Sequence, residues 1–301
     1  MQASAQKIEK YYDYQWREIS PENARFLGII TKTDSGWHRQ DYFIQERMLQ
    51  MDGVYEDSDC KVPNGLFNYF YPDGRLQHSG HYVHGEKNGL WLSFHSNGMI
   101  NDSTSYNSGH KTGTSYGWYE NGFPSDSSVW NNDGSGVEVA WFDNGNPSYA
   151  GKYSAGDGNK NGKWQFFHRN GRLSASELYK DGKLISKQYF DEQGNETDTI
   201  NRDRPATFPG GITAWQKYLE KKLYFPSQYK LVNADKAVVV IDATIDEEGN
   251  VINVDVSTPF HPAFDKIAVE VVSKSPQWQP AIQHNRKLRY RIRQAVFFAQ
   301  D

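Results

Sequence analysis

Asn88-Gly89-Leu90-Trp91-Leu92-Ser93-Phe94-His95-Ser96-Asn97-Gly98 decides the fold of the front part of the chain. The same frame, Asn-Gly-x-Trp-x-x-Phe-x-x-Asn-Gly, returns from Asn161 to Gly171. Between and around these two copies run turn signals at Asp73-Gly74, Asn97-Gly98, Asn121-Gly122, Asn144-Gly145, Asn170-Gly171 and Gln193-Gly194, in steps of 24, 24, 23, 26 and 23 residues. Asn-Gly and Asp-Gly favour the positive φ angles of a type I′ turn, so each signal predicts a β-hairpin. Three residues before each turn stands an aromatic residue: Phe70, Phe94, Trp118, Trp141, Phe167 and Phe190. Nine residues after the first five turns stand Tyr82, Tyr106, Trp130, Tyr153 and Tyr179. One two-stranded hairpin cannot bury an apolar face in water, but stacked hairpins can share a ladder of rings. Extending the rhythm backwards puts a turn at Glu46-Arg47, with Phe43 before it and Tyr55 after it, and starts the array near Trp37.

This frame resembles the MORN-like repeats of the YwqK type. The resemblance implies an architecture, a scaffold for protein interaction, and says almost nothing about chemistry. Because some bacterial members are antitoxins, an antitoxin or immunity protein acting through the array is the alternative reading. Ser115 and Glu138 stand where the frame has Trp91 and Trp164, so the middle of the array is expected to be thinner in its core or open to a ligand.

After Asn201-Arg202-Asp203-Arg204-Pro205 the rhythm stops, and this polar stretch is the expected boundary. Trp215, Leu219 and Leu223 form a helical stripe that Pro226 ends. Val239, Ile241, Ala243 and Ile245 alternate as a strand, and Ile252, Val254 and Val256 as a second after the Asp246-Glu247-Glu248 tip. Phe264, Ile267, Ala268, Val271 and Val272 then mark an amphipathic helix that stops before Pro276, and Leu288, Tyr290, Ile292, Gln294, Val296 and Phe298 mark one long last strand. The predicted order is α-β-β-α-β.

That order, with Phe208-Pro209-Gly210-Gly211, Leu223-Tyr224-Phe225-Pro226, Phe264-Asp265-x-x-Ala268 and Trp278-x-Pro280-Ala281, resembles the C-terminal domain of TonB over roughly residues 206–299. The resemblance implies a periplasmic domain that grips an extended peptide of an outer-membrane receptor by strand addition. The family's Tyr-Pro is Phe225-Pro226 here, and neither a membrane helix nor a Pro-rich spacer is present in the sequence, which puts energy transduction in doubt.

The expected binding site is therefore backbone: an edge strand offers unpaired N–H and C=O groups that an extended guest can satisfy. Tyr290, Arg291, Ile292, Arg293, Gln294, Ala295 and Val296 would carry the pairing, and Arg289, Arg291 and Arg293 would form a positive stripe favouring acidic peptides. The competing interpretation of that stripe is a solvated face that discourages aggregation.

No catalytic, cofactor or metal motif stands out. His78, His81 and His84 fall on a strand, whose successive residues point to opposite faces, so the three do not converge on one ion. Asp246-Glu247-Glu248 lacks the spacing of a calcium loop and reads as a hairpin tip. His95 and His168 share a repeat slot with Tyr71, Tyr119 and Phe142 and read as structural rings. Cys60, the single cysteine, rules out an internal disulfide and reads as a packed residue. Trp118 and Trp141 could stack on sugars, which leaves a cell-wall glycan-acting enzyme or glycan binder as a second alternative.

With 37% apolar but 15% aromatic residues, the core has to come from Tyr, Trp and Phe, as in β-rich repeats. A net charge of -4 gives no general pull toward nucleic acid, and no apolar run reaches the about 20 residues of a membrane span. Ala3-Ser4-Ala5 is like the end of a signal peptide without the segments that precede one, so the expected location is periplasmic or secreted, with the leader absent from this chain. The reading is a mainly β plus α+β protein: a lead-in (1–36), an elongated stack of antiparallel hairpin repeats (37–200) and an α-β-β-α-β module (201–301). Its expected function is non-enzymatic interaction at the cell envelope, with a protein or extended peptide as partner and no cofactor.

Overall fold

The structure, a computed structural model, describes residues 7–156, 158–232 and 234–300; Ala3 and Ala5 lie outside the described residues. Sixteen antiparallel strands, β1 (Lys7–Tyr12) through β16 (Glu196–Thr197), form one sheet in which every strand pairs with its neighbours in sequence. The fold class is the expected one, mainly β with a small second module that contains two helices. The sheet begins before the rhythm does. β1 and β2 (Phe26–Thr33) precede Trp37 and pair continuously from Lys7↔Thr31 to Tyr12↔Phe26.

The turns are not all of the expected type. At Asn97-Gly98, Gly98 N–H donates to His95 O and His95 N–H to Met99 O, so a type I turn precedes a glycine bulge, with Gly98 at φ 85°. Asn97 keeps negative φ because its side-chain oxygen accepts from Met99 N–H at 2.9 Å. The two-residue turns with positive φ at both positions close the opposite ends of the strands, at His84-Gly85, Ser108-Gly109 and Asp181-Gly182.

The ladder's chemistry follows from register. Gly53, Phe67, Gly80, Trp91, Thr104, Ser115, Ser128, Glu138, Gly151, Trp164, Glu177 and Lys187 form one row across the sheet. Each ring in the row lies on a glycine: a Cβ at Gly80 would sit 2.2 Å from the Trp91 ring, and one at Gly151 2.0 Å from Trp164. These glycines are required for space, since their φ angles are ordinary. Where Ser115 and Glu138 replace tryptophan, Thr104 and Ser128 replace the glycines. The buried rings of the sheet fall in three clusters, one of Tyr12, Phe26 and Phe43 at its start, one around Met51, Phe67 and Trp91, and, beyond the gap, one around Trp164, Phe166 and Tyr189.

Apart from Phe43, the rings three residues before each turn are not this core. Phe70, Phe94, Trp118, Trp141, Phe167 and Phe190 are half-buried and stand outside all three clusters. A register shift just before Phe70, Phe94, Trp141 and Phe167 re-aims the side chain there. Trp118 lies beside the exposed Tyr116, with ring centroids 5.9 Å apart.

The slot one residue later ties each repeat to the next. Tyr71 Oη donates to Phe94 O at 2.8 Å and Tyr119 Oη to Trp141 O at 2.8 Å. His95 Nε2 meets Trp118 O and His168 Nε2 meets Phe190 O, each at 2.8 Å. Histidine thus substitutes for tyrosine by supplying the same donor. Phe142 has none.

The second module opens with α1 (Gly211–Lys222), whose Trp215 and Leu219 are buried. β17 (Lys236–Ile245), β18 (Val251–Thr258), α2 (Pro262–Ser273) and β21 (Tyr290–Ala299) follow, and the sheet order is β18-β17-β21. Val239, Ile241, Ile245, Val296 and Phe298 bury one face of that sheet with Trp215, Phe264 and Val272. The sequence reading missed a short hairpin, β19 (Ala281–Gln283) and β20 (Arg286–Leu288), closed by His284 and Asn285 at positive φ. Leu288 belongs to it, and the last strand begins only at Tyr290.

Candidate functional site

Tyr290, Arg291, Ile292, Arg293, Gln294, Ala295 and Val296 all lie in β21, which pairs with β17 without a bulge from Tyr290↔Ile245 to Ala299↔Lys236. β21 is a sheet edge. Among the described residues, no backbone hydrogen bond outside the β17 ladder reaches β21. An antiparallel strand paired on one side turns alternate N–H and C=O groups away from its partner, and these are the groups that a second extended chain can satisfy. Side chains alternate about this edge. Ile292, Val296 and Phe298 pack toward the helices, and Gln294 Oε1 accepts from Trp215 Nε1 at 2.8 Å.

Arg291 and Arg293 point the other way, toward the array. The two modules are joined by a set of specific contacts. Arg25 donates to Val238 O, and Ser96 Oγ to Asp255 Oδ2 at 3.0 Å. Arg289 bonds Asp143 and lies 4.8 Å from the Tyr119 ring centre, while Arg169 bridges Asp143 at 2.6 Å and Glu247 at 3.3 Å. Glu247, in the acidic hairpin tip, is therefore a buried interface residue.

The β19–β20 hairpin is driven into the array. His284 stacks on Phe166 and meets Glu177 at 3.0 Å, and Asn285 Nδ2 donates to Phe190 O at 2.9 Å. Arg286 donates to Ser148 O at 2.7 Å and to Ser148 Oγ at 2.6 Å. Burial pulls the Arg286 guanidinium down to about 10. Burial raises the Glu177 carboxyl, but the hydrogen bonds from His284 and Tyr179 outweigh it and hold the group below its ordinary range.

These contacts dispose of the expected positive stripe. Arg289 is taken by Asp143, and Arg293 pairs with Asp242 at 3.2 Å. Of the three, Arg291 has no hydrogen bond or ion pair among the described residues, and it faces a cleft of about 360 Å³ between the array and the open face of the three-stranded sheet.

The three histidines lie apart, and His84 sits not on the strand but in the turn that follows it. His78 lines the cleft, His81 is exposed, and His84 Nδ1 meets Glu56 at 2.5 Å. Burial lowers the pKa of His78. Cys60 is half-buried at φ 56°, and burial raises its thiol pKa.

An open-edged sheet docked on a hairpin-repeat array defines the class, a modular β protein whose three-stranded sheet has two open edges, β18 and β21, beside an interdomain cleft. Residues 222–299 match the family described as Gram-negative bacterial TonB protein C-terminal. The match covers the module from the last residue of α1 through β21 and leaves the array outside it. No curated protein matches the chain. No helix among the described residues is long and apolar enough to cross a membrane.

Proposed function

We infer that this is a non-enzymatic interaction protein of the cell envelope, periplasmic in location, whose C-terminal module takes up an extended peptide by strand addition along β21. The observation that carries this reading is the unpaired outer edge of β21 in a module that matches the TonB C-terminal family. Residues 290–296 supply main-chain groups to the guest, and the array is a MORN-like scaffold that fixes the module in place. Specificity for acidic peptides is not part of this reading, because two of the three arginines are already paired within the chain.

The test is hydrogen exchange on the full chain with a pooled set of seven-residue peptides of alternating apolar and polar residues. Strand addition slows exchange at alternate amides of residues 290–296. Peptide capture with protection confined to the array would instead make the array the binding element. A second reading, an antitoxin-like role for the array, is favoured by the exposed Leu90, Val129, Val137 and Leu178 on the sheet face away from the buried rings. Deleting residues 205–301 separates the two, since only the second survives it.

A further inference from the structure

The cleft between the two modules is built unlike the rest of their interface. At the far repeats the β19–β20 hairpin fills the space between the sheets, through His284, Asn285 and Arg286. At the repeats carrying Tyr71, His95 and Tyr119 nothing fills it, and about 360 Å³ stays open. That volume lies in the range of small-ligand sites, which favour domain interfaces.

Its charged groups balance in number, Arg289, Arg291 and Arg293 against Glu120, Asp242 and Asp255, but not in direct pairing. On the sheet wall Asp242 is paired with Arg293, and Asp255 accepts from Ser96 of the opposite wall. On the array wall Glu120 lies 3.8 Å from His95. Arg291 lines the same space with no hydrogen bond or ion pair among the described residues. A guanidinium presents a planar fork of donors that matches a carboxylate in two parallel bonds, and among the described residues Arg291 is the guanidinium of this cleft without a direct partner, exposed and attracted only at longer range by Glu120 and Asp242. Burial raises the pKa of both Asp242 and Glu120, a sign that these walls are partly withdrawn from water. Charge-assisted bonds made there are stronger than in bulk solvent.

The carboxylates decide what else the ligand carries. Glu120 and Asp255 approach from opposite walls, and a ligand with several negative charges would be repelled by them. A ligand with one carboxylate and one ammonium group satisfies both features.

We propose that the interdomain cleft binds a small zwitterion of the amino-acid or short-peptide class, its carboxylate held by Arg291 and its ammonium group by Glu120 and Asp255. This does not rest on strand addition: it uses the side chain of Arg291, whereas strand addition uses main-chain groups of the same strand.

Calorimetric titration of the full chain with L-alanyl-L-phenylalanine and a panel of other dipeptides tests it, alongside the C-terminal amides, the N-acetyl derivatives and inorganic phosphate. A dipeptide binds one to one, its amide binds at least tenfold more weakly, and acetylation weakens binding too. Arg291→Gln loses at least tenfold and Arg291→Lys less, with thermal unfolding unchanged, because the side chain makes no bond within the chain. Inorganic phosphate competes poorly, because Glu120 and Asp255 repel its extra negative charge. Amides that bind as well as free dipeptides, an Arg291→Gln variant that binds like the native chain, phosphate binding without dipeptide binding, or no dipeptide binding up to millimolar concentration would each overturn the proposal. The hydrogen-exchange pattern on β21 with seven-residue peptides reads strand addition separately.

Discussion

Arg286 stands where Phe142 falls short: its Nη1 lies 3.5 Å from Phe167 O, the carbonyl that the ring slot of that repeat would otherwise address. In the neighbouring repeats Tyr119 donates to Trp141 O and His168 to Phe190 O. Phenylalanine cannot donate, and the guanidinium from the second module comes in 5.6 Å from the Phe142 ring centre to serve the same row. Array and module therefore share one hydrogen-bonding pattern across their boundary.

The first prediction follows from that sharing. Arg286→Ala leaves the Ser148 carbonyl without its charged donor inside the interface and costs about 2–3 kcal/mol, the range for a bond to a charged group. Phe142→Tyr in the same chain supplies a hydroxyl toward Phe167 O and restores about 1 kcal/mol. Urea unfolding of the four variants of this cycle measures the coupling, and strict additivity would show that the two residues do not serve a common acceptor.

The Gly80–Trp91 and Gly151–Trp164 pairs give the second. Alanine at either glycine places a methyl within about 2 Å of ring atoms and destabilises by roughly 1–3 kcal/mol, the usual cost of overpacking, even though the backbone there tolerates any residue. Shrinking Trp164 to Leu in a Gly151→Ala background recovers part of the loss. Thermal unfolding of Gly151→Ala equal to that of the native chain would contradict the packing seen.

The polar gap in the ladder gives the third. Ser115→Trp alone meets the Thr104 side chain in the strand before it and destabilises by about 1–3 kcal/mol. With Thr104→Gly added, the pair reproduces Gly80–Trp91, and the double variant is more stable than Thr104→Gly alone. Chemical unfolding midpoints decide the order.

Acidification gives the fourth. The Glu177 pKa is lower in the folded chain than unfolded, because His284 and Tyr179 hydrogen bonds outweigh burial. A depressed acid contributes stability that is fully present above its unfolded pKa of about 4.3 and is lost as pH falls through the folded value. Glu177→Gln therefore lowers stability at pH 7 and flattens its fall below about pH 4. Unfolding free energies measured between pH 3 and pH 7 check both parts, and parallel curves for the two proteins would refute the assignment.

Much of this molecule could be read from its residues. The Asn-Gly rhythm placed the hairpins from Trp37 onward, and the alternation in Val239, Ile241, Ala243 and Ile245 placed β17. The turn type was not legible, since Asn-Gly suits both a two-residue turn and a type I turn with a glycine bulge. β1 and β2 were missed because they carry no such punctuation. The β19–β20 hairpin was hidden by its tip, where His284 and Asn285 hold positive φ without a glycine; the cue that could have found it is Asn285 between Ile282 and Leu288. The fate of the arginines was not readable at all. Arg289 and Asp143 meet only because two sheets dock, and periodicity within one strand carries no information about a partner so distant in the chain.

The alternation of ring and glycine also acts as a ruler. A ring in one strand needs bare backbone in the strand before it, and each donor slot needs a carbonyl one repeat further on. Outside the polar gap from Thr104 to Glu138, a single strand added or removed would set ring against ring, so there the sheet can grow or shrink only by entire hairpins. Asn285 and Arg286, which reach the carbonyls of Phe190 and Phe167, mark the zero of that scale, and the number of hairpins beyond them sets how much of the cleft is roofed.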